Sequence, residues 1–332
     1  LHTGKELWSR PLTTPDGARV TLSFGQVMKF TSFNVQGAFT YLWGTSGTTW
    51  HAFDPADGRW LFTMTNVPSA STVVGSNGEF LKYQLNQQAG YMLIWNSSAV
   101  IDCYWGTNPN SPNWGSWRPQ GKTINATGPT ATTFSTPLGL NGYQANVSIP
   151  TGLPGSPSYY VAEDIVIGYY RQSPENINNP PYTIWAIDLK PGCEGRLLYN
   201  KTYAAPSGNV TMGYSRVGVQ DRVFVLYMKD LGTMRTYNLD TGQFMWETTE
   251  PEYYLSYLET WTIIDDGKVY THGTKGIIDC YDATNGNKLW SYGLADPLSE
   301  ILWSENWIAR IDFIVDGKVY IRHSAHSDNQ PL

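Results

Sequence analysis

The fold is decided by residues 280–290, which read Cys280-Tyr-Asp282-Ala-Thr-Asn-Gly286-Asn-Lys-Leu-Trp290, because the same phrase recurs along the chain. In this phrase a small residue and an Asp or Asn precede a Gly, and an aromatic residue follows the Gly by four positions. A recurring phrase of this kind predicts a repeat architecture. Further clear copies are Ala52-Phe-Asp54-Pro-Ala-Asp-Gly58-Arg-Trp-Leu-Phe62, Thr236-Tyr-Asn238-Leu-Asp-Thr-Gly242-Gln-Phe-Met-Trp246 and the half-copy Gly4-Lys-Glu-Leu-Trp8.

Two other copies contain longer turns. One runs from Ala186 and Asp188 through Gly195 to Tyr199, and the other runs from Cys103 to Trp117 across an Asn/Pro-rich segment. The first positions of the copies are separated by 51, 83, 50 and 44 residues. A period of roughly 40–50 residues with short strands is typical of β-propeller blades.

A second phrase, a turn followed by a β-branched and aromatic run, precedes the first in each unit. Asp266-Gly-Lys-Val-Tyr270 and Asp316-Gly-Lys-Val-Tyr320 are identical, and residues 220–224 and 163–166 are looser versions. Such runs predict strands, whereas helical periodicity is nearly absent. The order along the chain is therefore strand, loop, strand, Gly hairpin, strand.

The first phrase has a physical interpretation. Asp or Asn can accept hydrogen bonds from backbone amides of the turn, and Gly supplies a positive φ. We expect the closing aromatic residue to pack against the neighbouring blade.

The sequence therefore predicts one all-β propeller domain over residues 1–332, with about six to eight four-stranded blades. The stretch 118–162, rich in Thr, Pro, Gly and Asn, predicts a long insertion or a degenerate blade. The chain begins inside one copy and ends before another, which indicates part of a longer exported protein. Either residues 5–9 join the strand at 318–322 and close the ring, or the blades form an open arc.

The phrase resembles the quinoprotein-type repeat that is named for pyrroloquinoline quinone (PQQ), whose consensus is Ala-x-Asp-x-x-Thr-Gly-Lys-x-x-Trp. The resemblance covers most of the chain outside 118–162 and implies a propeller. The enzymes of that family carry adjacent cysteines over the quinone, a Trp beneath it and a calcium ion held by Glu, Asn and Asp. Cys103, Cys193 and Cys280 are not adjacent, and no catalytic, cofactor or metal residue is carried over. The resemblance favours a non-catalytic repeat protein.

Composition excludes several classes of protein. The 332 residues include 41% hydrophobic and only 15% charged residues, with a net charge of −6. Because of this negative charge, polyanions have no electrostatic reason to bind the molecule as a whole, and we expect no nucleic-acid partner. No apolar run approaches the ~18 residues of a membrane span.

Three groups of side chains are candidates for surface roles. Cys193 lies in a hairpin turn and could form an intermolecular disulfide, whereas Cys103 and Cys280 occupy a small, buried repeat position. Clusters of aromatic residues outside the repeat are typical either of core packing or of rim loops that bind proteins and sugars; they include Trp43, Trp50, Trp95, Trp105, Tyr253, Tyr254, Tyr257, Trp261, Trp303 and Trp307. Sequons predict surface glycosylation at Asn96, Asn125, Asn146, Asn200 and Asn209.

These patterns predict a non-enzymatic binding or structural propeller, outside the cell or at its surface, that presents aromatic-rich rim loops to a protein or glycan. Two alternatives remain open. One is a dehydrogenase that depends on PQQ and calcium, and the other is an envelope assembly scaffold. The main prediction needs no cofactor.

Overall fold

The computed structural model describes residues 4–31, 36–102, 120–128, 142–171, 180–208, 210–249, 261–272, 277–293 and 308–324. In these residues the chain is all-β, as the sequence predicted, and helix is limited to one short α-helix and one 3-10 turn. The first elements are β1 (Leu12–Thr13), β2 (Arg19–Val20), β3 (Phe24–Thr31), β4 (Gln36–Ser46), β5 (Thr49–Phe53), β6 (Trp60–Thr65), β7 (Thr72–Val74), β8 (Phe80–Asn86), β9 (Tyr91–Asn96), α1 (Ser97–Asp102), β10 (Thr123–Asn125) and β11 (Tyr143–Ser148). The remaining elements are β12 (Ser156–Val161), β13 (Ile165–Arg171), β14 (Tyr182–Asp188), β15 (Leu197–Tyr203), β16 (Met212–Gly218), β17 (Val223–Met228), the 3-10 turn Lys229–Leu231, β18 (Thr233–Asn238), β19 (Phe244–Glu247), β20 (Trp261–Asp265), β21 (Lys268–His272), β22 (Ile277–Asp282), β23 (Lys288–Gly293), β24 (Ile308–Val315) and β25 (Lys318–Ser324).

The strands form successive sheets, most of them four-stranded. Sheet 1 has the order β10-β6-β5-β4-β3, and sheet 2 has the order β11-β9-β8-β7. Sheets 3, 4 and 5 each pair four consecutive strands, β12 to β15, β16 to β19 and β20 to β23. The two-stranded pairs β1-β2 and β24-β25 complete the described strands. Residues 5–9, which would join the strand at 318–322 in one of the two alternatives drawn from the sequence, are not in a strand.

The segment 118–162 contributes strands to three sheets. In sheet 1, β10 pairs parallel with β6, so that Thr123 lies opposite Thr63. In sheet 2, β11 pairs antiparallel with β9, and β12 begins sheet 3. The segment therefore extends two sheets that start earlier in the chain.

The phrase that begins with Asp266 forms a two-residue hairpin turn. Asp265 pairs with Lys268, and the residues between them, Asp266 and Gly267, have φ of +49° and +72°. Positive φ at both central residues is the type I′ geometry, whose twist matches that of the flanking strands. Asp316 and Gly317 repeat this geometry between β24 and β25.

Contacts divide the chain into two compact units. The first comprises Leu1–Leu153, Tyr159–Val166 and Ile187–Leu197, and the second comprises Pro154–Ser158, Ile167–Ala186 and Leu198–Leu332.

The first unit has an aromatic core. Trp43 and Trp95 are fully buried, and Trp50 is nearly so. The Trp50 ring lies edge-on to Trp43 at 5.7 Å and to Trp95 at 6.4 Å between centroids. Edge-to-face rings of this kind bury large apolar areas in the arrangement that their quadrupoles favour. These three tryptophans therefore form core rather than a binding surface.

Two smaller apolar clusters lie among the described residues of the second unit. Strand β17 reads Val-Phe-Val-Leu-Tyr-Met and is buried at every position, so it is covered on both faces. One cluster surrounds Trp246 and Tyr281, and the other surrounds Tyr270 and Cys280. Burial raises the pKa of the Cys280 thiol to about 11, as expected for an inert core cysteine.

Candidate ligand-binding cleft

The outer face of sheet 1 carries a row of small and polar residues. Gly44, His51, Thr63 and Thr123 lie in register on β4, β5, β6 and β10. Neighbouring residues on a strand point to opposite faces, so this row is the polar counterpart of the buried core. The adjacent row, on the core side, consists of Trp43, Ala52 and Phe62.

The β1-β2 hairpin is placed over this face because Gly44 has no side chain. A Cβ on Gly44 would lie 2.1 Å from Cγ1 of Val20 and 2.9 Å from the carbonyl oxygen of Thr21. The chain then enters β3 through Ser23, whose N–H donates to the Trp43 carbonyl at 2.7 Å. The hydroxyls of Ser23 and Thr45 are also in contact, at 2.9 Å. A glycine is therefore required where the hairpin crosses the sheet.

Between the hairpin and the sheet is an open cleft of about 820 Å³, here called the hairpin cleft. Its walls carry several hydroxyl groups, one half-buried Trp and three ionisable side chains. The lining residues are Thr14, Pro15, Asp16, Ala18, Arg19, Val20, Thr21, Thr45, Ser46, His51, Trp60, Thr63, Gly121 and Thr123.

A chain of hydrogen bonds orients the floor of the cleft. Trp60 Nε1 donates to Thr63 Oγ1 at 3.0 Å, and the same hydroxyl lies 2.9 Å from His51 Nδ1. The Thr63 hydroxyl has one proton and two lone pairs, so it can accept from Trp60 and still either donate to Nδ1 or accept from it, according to the tautomer of His51. Burial lowers the pKa of His51, although the Asp16 charge opposes this effect. The ring is therefore neutral at pH 7, and its Nε2 has no hydrogen-bond partner among the described residues.

The hairpin turn contributes two opposite charges. Gly17 N–H donates to the Thr14 carbonyl at 2.9 Å, and the Thr14 hydroxyl donates to Asp16. That hydrogen bond lowers the pKa of Asp16, which is therefore ionised. Arg19 is exposed, and its guanidinium has no acidic partner in the described part of the chain.

The residues of the repeat phrase form turns with one common set of hydrogen bonds. In each of four turns, the side chain of the Asp or Asn accepts a backbone N–H two residues ahead, at 2.8 to 3.0 Å. The backbone carbonyl of the same residue accepts from the turn glycine. These glycines all have positive φ, as does Gly4. The four turns are Asp54 with Gly58, Asp188 with Gly195, Asn238 with Gly242, and Asp282 with Gly286.

Three closing aromatic residues pack on the glycine of a later turn. A Cβ on Gly58 would lie 2.8 Å from Trp8, a Cβ on Gly242 2.8 Å from Tyr199, and a Cβ on Gly286 2.5 Å from Trp246. Two of these rings also donate to the turn backbone: Trp8 Nε1 to Pro55 O at 3.0 Å, and Trp246 Nε1 to Ala283 O at 2.8 Å.

The other closing aromatic residues differ. Phe62 is fully buried against Tyr41 and Trp43 in the core of the first unit. Trp290 is 38% exposed, with its ring 5.9 Å from Tyr270. Trp117 and the copy from Cys103 lie outside the described residues.

One turn of this form was not identified from the sequence. Ala89 N–H donates to Asn86 Oδ1 at 2.9 Å, and Gly90 N–H donates to the Asn86 carbonyl at 2.8 Å. The available signal was the Asn-to-Gly spacing of four. The sequence phrase is incomplete here, because Ile94 occupies the position of the closing aromatic residue.

The sequons lie in different environments. Asn96 is buried, and its Nδ2 donates to Gln144 Oε1 at 3.2 Å while its Oδ1 accepts from Ser98. Asn125, Asn146 and Asn200 are exposed. Asn209 lies outside the described residues.

Few of the other candidate side chains gather at one place. Cys193 is a partly exposed free thiol. Trp261 is in β20, and the remaining candidate aromatics lie outside the described residues: Trp105, Tyr253, Tyr254, Tyr257, Trp303 and Trp307. None of the cleft residues was chosen from the sequence as a binding residue, because the cleft depends on pairing between distant strands.

The described residues were searched for metal-binding groups and for membrane-spanning helices. Among them, no group of three or more His, Cys, Asp or Glu residues could hold a metal ion. Within the same part of the chain, none of the helices has the length and hydrophobicity needed to cross a bilayer.

The C-terminal part of the chain matches a known family of repeat proteins. Residues 183–325 match the sequence model of a PQQ-type repeat family, described as "Outer membrane protein assembly factor BamB". This part of the chain belongs to the PQQ-type repeat family. The PQQ-type match contains three of the four turns described above.

Other comparisons are less informative. No curated protein matches the chain. Among solved structures, it is similar to the crystal structure of the computationally designed Ika4 protein, at 18% identity and a TM-score of 0.28. That similarity covers 49% of this chain and 87% of the designed one, and its TM-score is too low to support any conclusion.

Proposed function

We propose that the chain is a non-enzymatic β-propeller of PQQ-type repeats that acts outside the cell or at its surface and binds a protein or glycan. The observation that carries the binding role is the hairpin cleft. It is preformed, its volume of about 820 Å³ falls in the range of ligand sites, and two of its polar groups, the Arg19 guanidinium and His51 Nε2, have no partner among the described residues. Such groups gain hydrogen bonds when a ligand enters, without first losing any within the protein.

The propeller arrangement is supported by the repeated contact between an aromatic ring and a later glycine turn. This contact is made by Trp8, Tyr199 and Trp246, each on the glycine of a later turn. A contact that joins one repeat to the next at three places suits a single ring of about six to eight blades. Scaffolds of this kind hold loops and added elements in fixed positions, which is what a binding role requires.

The test is a ligand screen with a blocked cleft as comparison. The wild-type chain is applied to a glycan array and to a panel of cell-surface proteins, together with the variant Thr123→Trp. Thr123 is exposed on the outer strand β10, so an indole there fills the cleft and leaves the core unchanged. Asn146→Trp, on the exposed outer strand β11, is the matched control.

We expect ligands that bind the wild type and Asn146→Trp but not Thr123→Trp. A screen without such ligands would contradict the binding role. Saturable heat on calorimetric titration with PQQ and calcium would instead favour the dehydrogenase, and would overturn the non-enzymatic proposal.

A second candidate is an envelope assembly scaffold, favoured by the family match over residues 183–325, whose description names an outer membrane protein assembly factor. Fractionation of cells that express the full-length protein separates this candidate from the first. Association with the outer membrane, together with slower assembly of outer membrane proteins after deletion, would favour the scaffold.

A further inference from the structure

We infer that the ligand of the hairpin cleft is a neutral oligosaccharide that stacks on Trp60 and is hydrogen-bonded by Asp16, Arg19 and His51. The inference rests on the proposed function, and it specifies the ligand class of the same site.

Trp60 supplies an apolar surface in a fixed orientation. Its indole N–H is already used, because Nε1 donates to Thr63 Oγ1 at 3.0 Å. The accessible part of this half-buried side chain therefore offers the cleft a π surface and no free donor. The C–H groups on one face of a sugar ring carry partial positive charge, and they pack well on an electron-rich aromatic face.

The polar groups of the cleft include both donors and acceptors. The Arg19 guanidinium donates, the Asp16 carboxylate accepts, and His51 Nε2 takes either role according to its tautomer. A sugar hydroxyl needs both kinds of partner, because it donates one hydrogen bond and accepts up to two. The hydroxyls of Thr21, Ser46 and Thr123 can serve either way.

The charge of the lining favours a ligand without net charge. At pH 7 Asp16 and Arg19 cancel, and His51 is neutral because burial lowers its pKa. A carboxylate or phosphate ligand would be drawn to Arg19 but repelled by Asp16, and a cation would meet the reverse. Neither charged class is favoured over a neutral one.

The size of the cleft suits an oligosaccharide. Sites for drug-sized ligands occupy about 300–1,000 Å³. At about 820 Å³ the hairpin cleft is in the upper part of that range. It has room for roughly two or three sugar rings.

The inference is tested by titration calorimetry with defined oligosaccharides. The neutral probes are cellotetraose, maltotetraose, mannotetraose and N-acetylchitotetraose. The charged probes are tetragalacturonate, which is acidic, and chitosan tetramer, which is cationic. We expect saturable heat with at least one neutral probe and none with the charged ones.

Variants connect the binding to the cleft. Trp60→Ala should weaken binding at least tenfold, because it removes the stacking surface, whereas Trp60→Phe should keep affinity within about threefold. Asp16→Asn should weaken binding about tenfold, because it replaces a charged hydrogen-bond acceptor with a neutral one. Asp16 is exposed, so this change should not disturb the fold. Asp57→Asn, an exposed turn carboxylate away from the cleft, should have no effect. Circular dichroism of each variant shows whether it is folded, and Asp16→Asn provides a readout even if Trp60→Ala unfolds.

The outcomes distinguish this inference from the proposed function. A charged probe that binds more tightly than the neutral ones, with dependence on Thr123→Trp, overturns the neutral class but leaves the binding role in place. If a protein binds in the cleft and no sugar does, the oligosaccharide assignment is likewise overturned, and the binding role stays in place. Neutral sugars that bind independently of Trp60 and Asp16 refute the assignment to this cleft. If no sugar and no protein binds in the cleft, both proposals fail.

Discussion

Gly286→Ala tests whether the contact between an aromatic ring and a glycine turn joins consecutive repeats. The new Cβ would lie 2.5 Å from Cε3 of Trp246, closer than real Cβ atoms approach. Trp246 cannot move away easily, because it is buried and its Nε1 donates to Ala283 O at 2.8 Å. Overpacking of this kind costs about 1–3 kcal/mol. The φ of +76° adds about 1–2 kcal/mol for any residue with a Cβ.

Gly267→Ala is the matched control. Its φ of +72° is nearly the same, but no heavy atom lies within 4 Å of the new Cβ. The control should therefore show only the backbone cost of about 1–2 kcal/mol. Gly286→Ala should exceed it by about 1–3 kcal/mol, which is the contribution of the clash with Trp246.

The measurement is urea unfolding, with both glycines in the second unit so that the same transition is compared. A fall in the midpoint at constant slope gives the loss in the free energy of unfolding. In a Trp246→Leu background the excess cost of Gly286→Ala should disappear, because the ring that it meets has gone. Equal losses for Gly286→Ala and Gly267→Ala would refute the reasoning.

Three further predictions concern pH, the cleft and glycosylation. Burial lowers the pKa of His272 to about 4, and its Nδ1 lies 3.3 Å from the Ala309 carbonyl oxygen and 3.4 Å from Ile311 N. The stabilisation from the neutral ring is thus complete above about pH 6.5 and is lost as the pH falls through 4, up to about 3 kcal/mol in all. His272→Asn keeps an acceptor that does not titrate, so its unfolding midpoint should vary less between pH 7 and 4; an unchanged pH profile would contradict this role. Gly44→Ala should displace the β1-β2 hairpin and speed amide exchange in residues 12–21, whereas Gly25→Ala, whose Cβ has only an ordinary contact at 3.9 Å, should not; equal exchange in the two variants would count against the packing argument. When the chain is secreted from a glycosylating host, mass spectrometry should find glycans at one or more of the exposed sequons and none at buried Asn96; glycan on Asn96 of the folded protein would be the contrary result. The exposed sequons are Asn125, Asn146 and Asn200.

The sequence predicted the turns well because their interactions are local. In Asp282–Gly286 the side-chain oxygen, the carbonyl and the glycine that form the turn lie within five residues. Residue types at fixed spacing therefore carry the information. The same locality explains the type I′ hairpin at Asp266 and Gly267. Asn86–Gly90 shows the limit, since its turn is complete although its closing aromatic residue is absent.

The cleft was not predictable because its parts come together through long-range pairing. Thr123 lies in the same row as His51 only because β10 pairs with β6, and three of the four strands of sheet 2 lie between these two strands in the sequence. Val20 packs directly on Gly44, and no local sequence pattern predicts this contact. Trp43 and Trp50 were ambiguous for the same reason, since their types fit a binding face and a core equally well. Register alone decides which face of the sheet each occupies.

The hairpin cleft lies outside the part of the chain that matches the repeat family. The family match spans residues 183–325, and none of the residues that line the cleft belongs to that span. The cleft is built instead from the outer face of sheet 1 and from two additions to it, the β1-β2 hairpin and the parallel strand β10. Repeat residues such as Gly286 and Trp246 serve packing, so a protein could keep them unchanged while its ligand changes. Activity carried over from the repeat family therefore does not predict what this cleft binds, and substitutions at Asp16, Trp60 and Thr123 are the ones that test it.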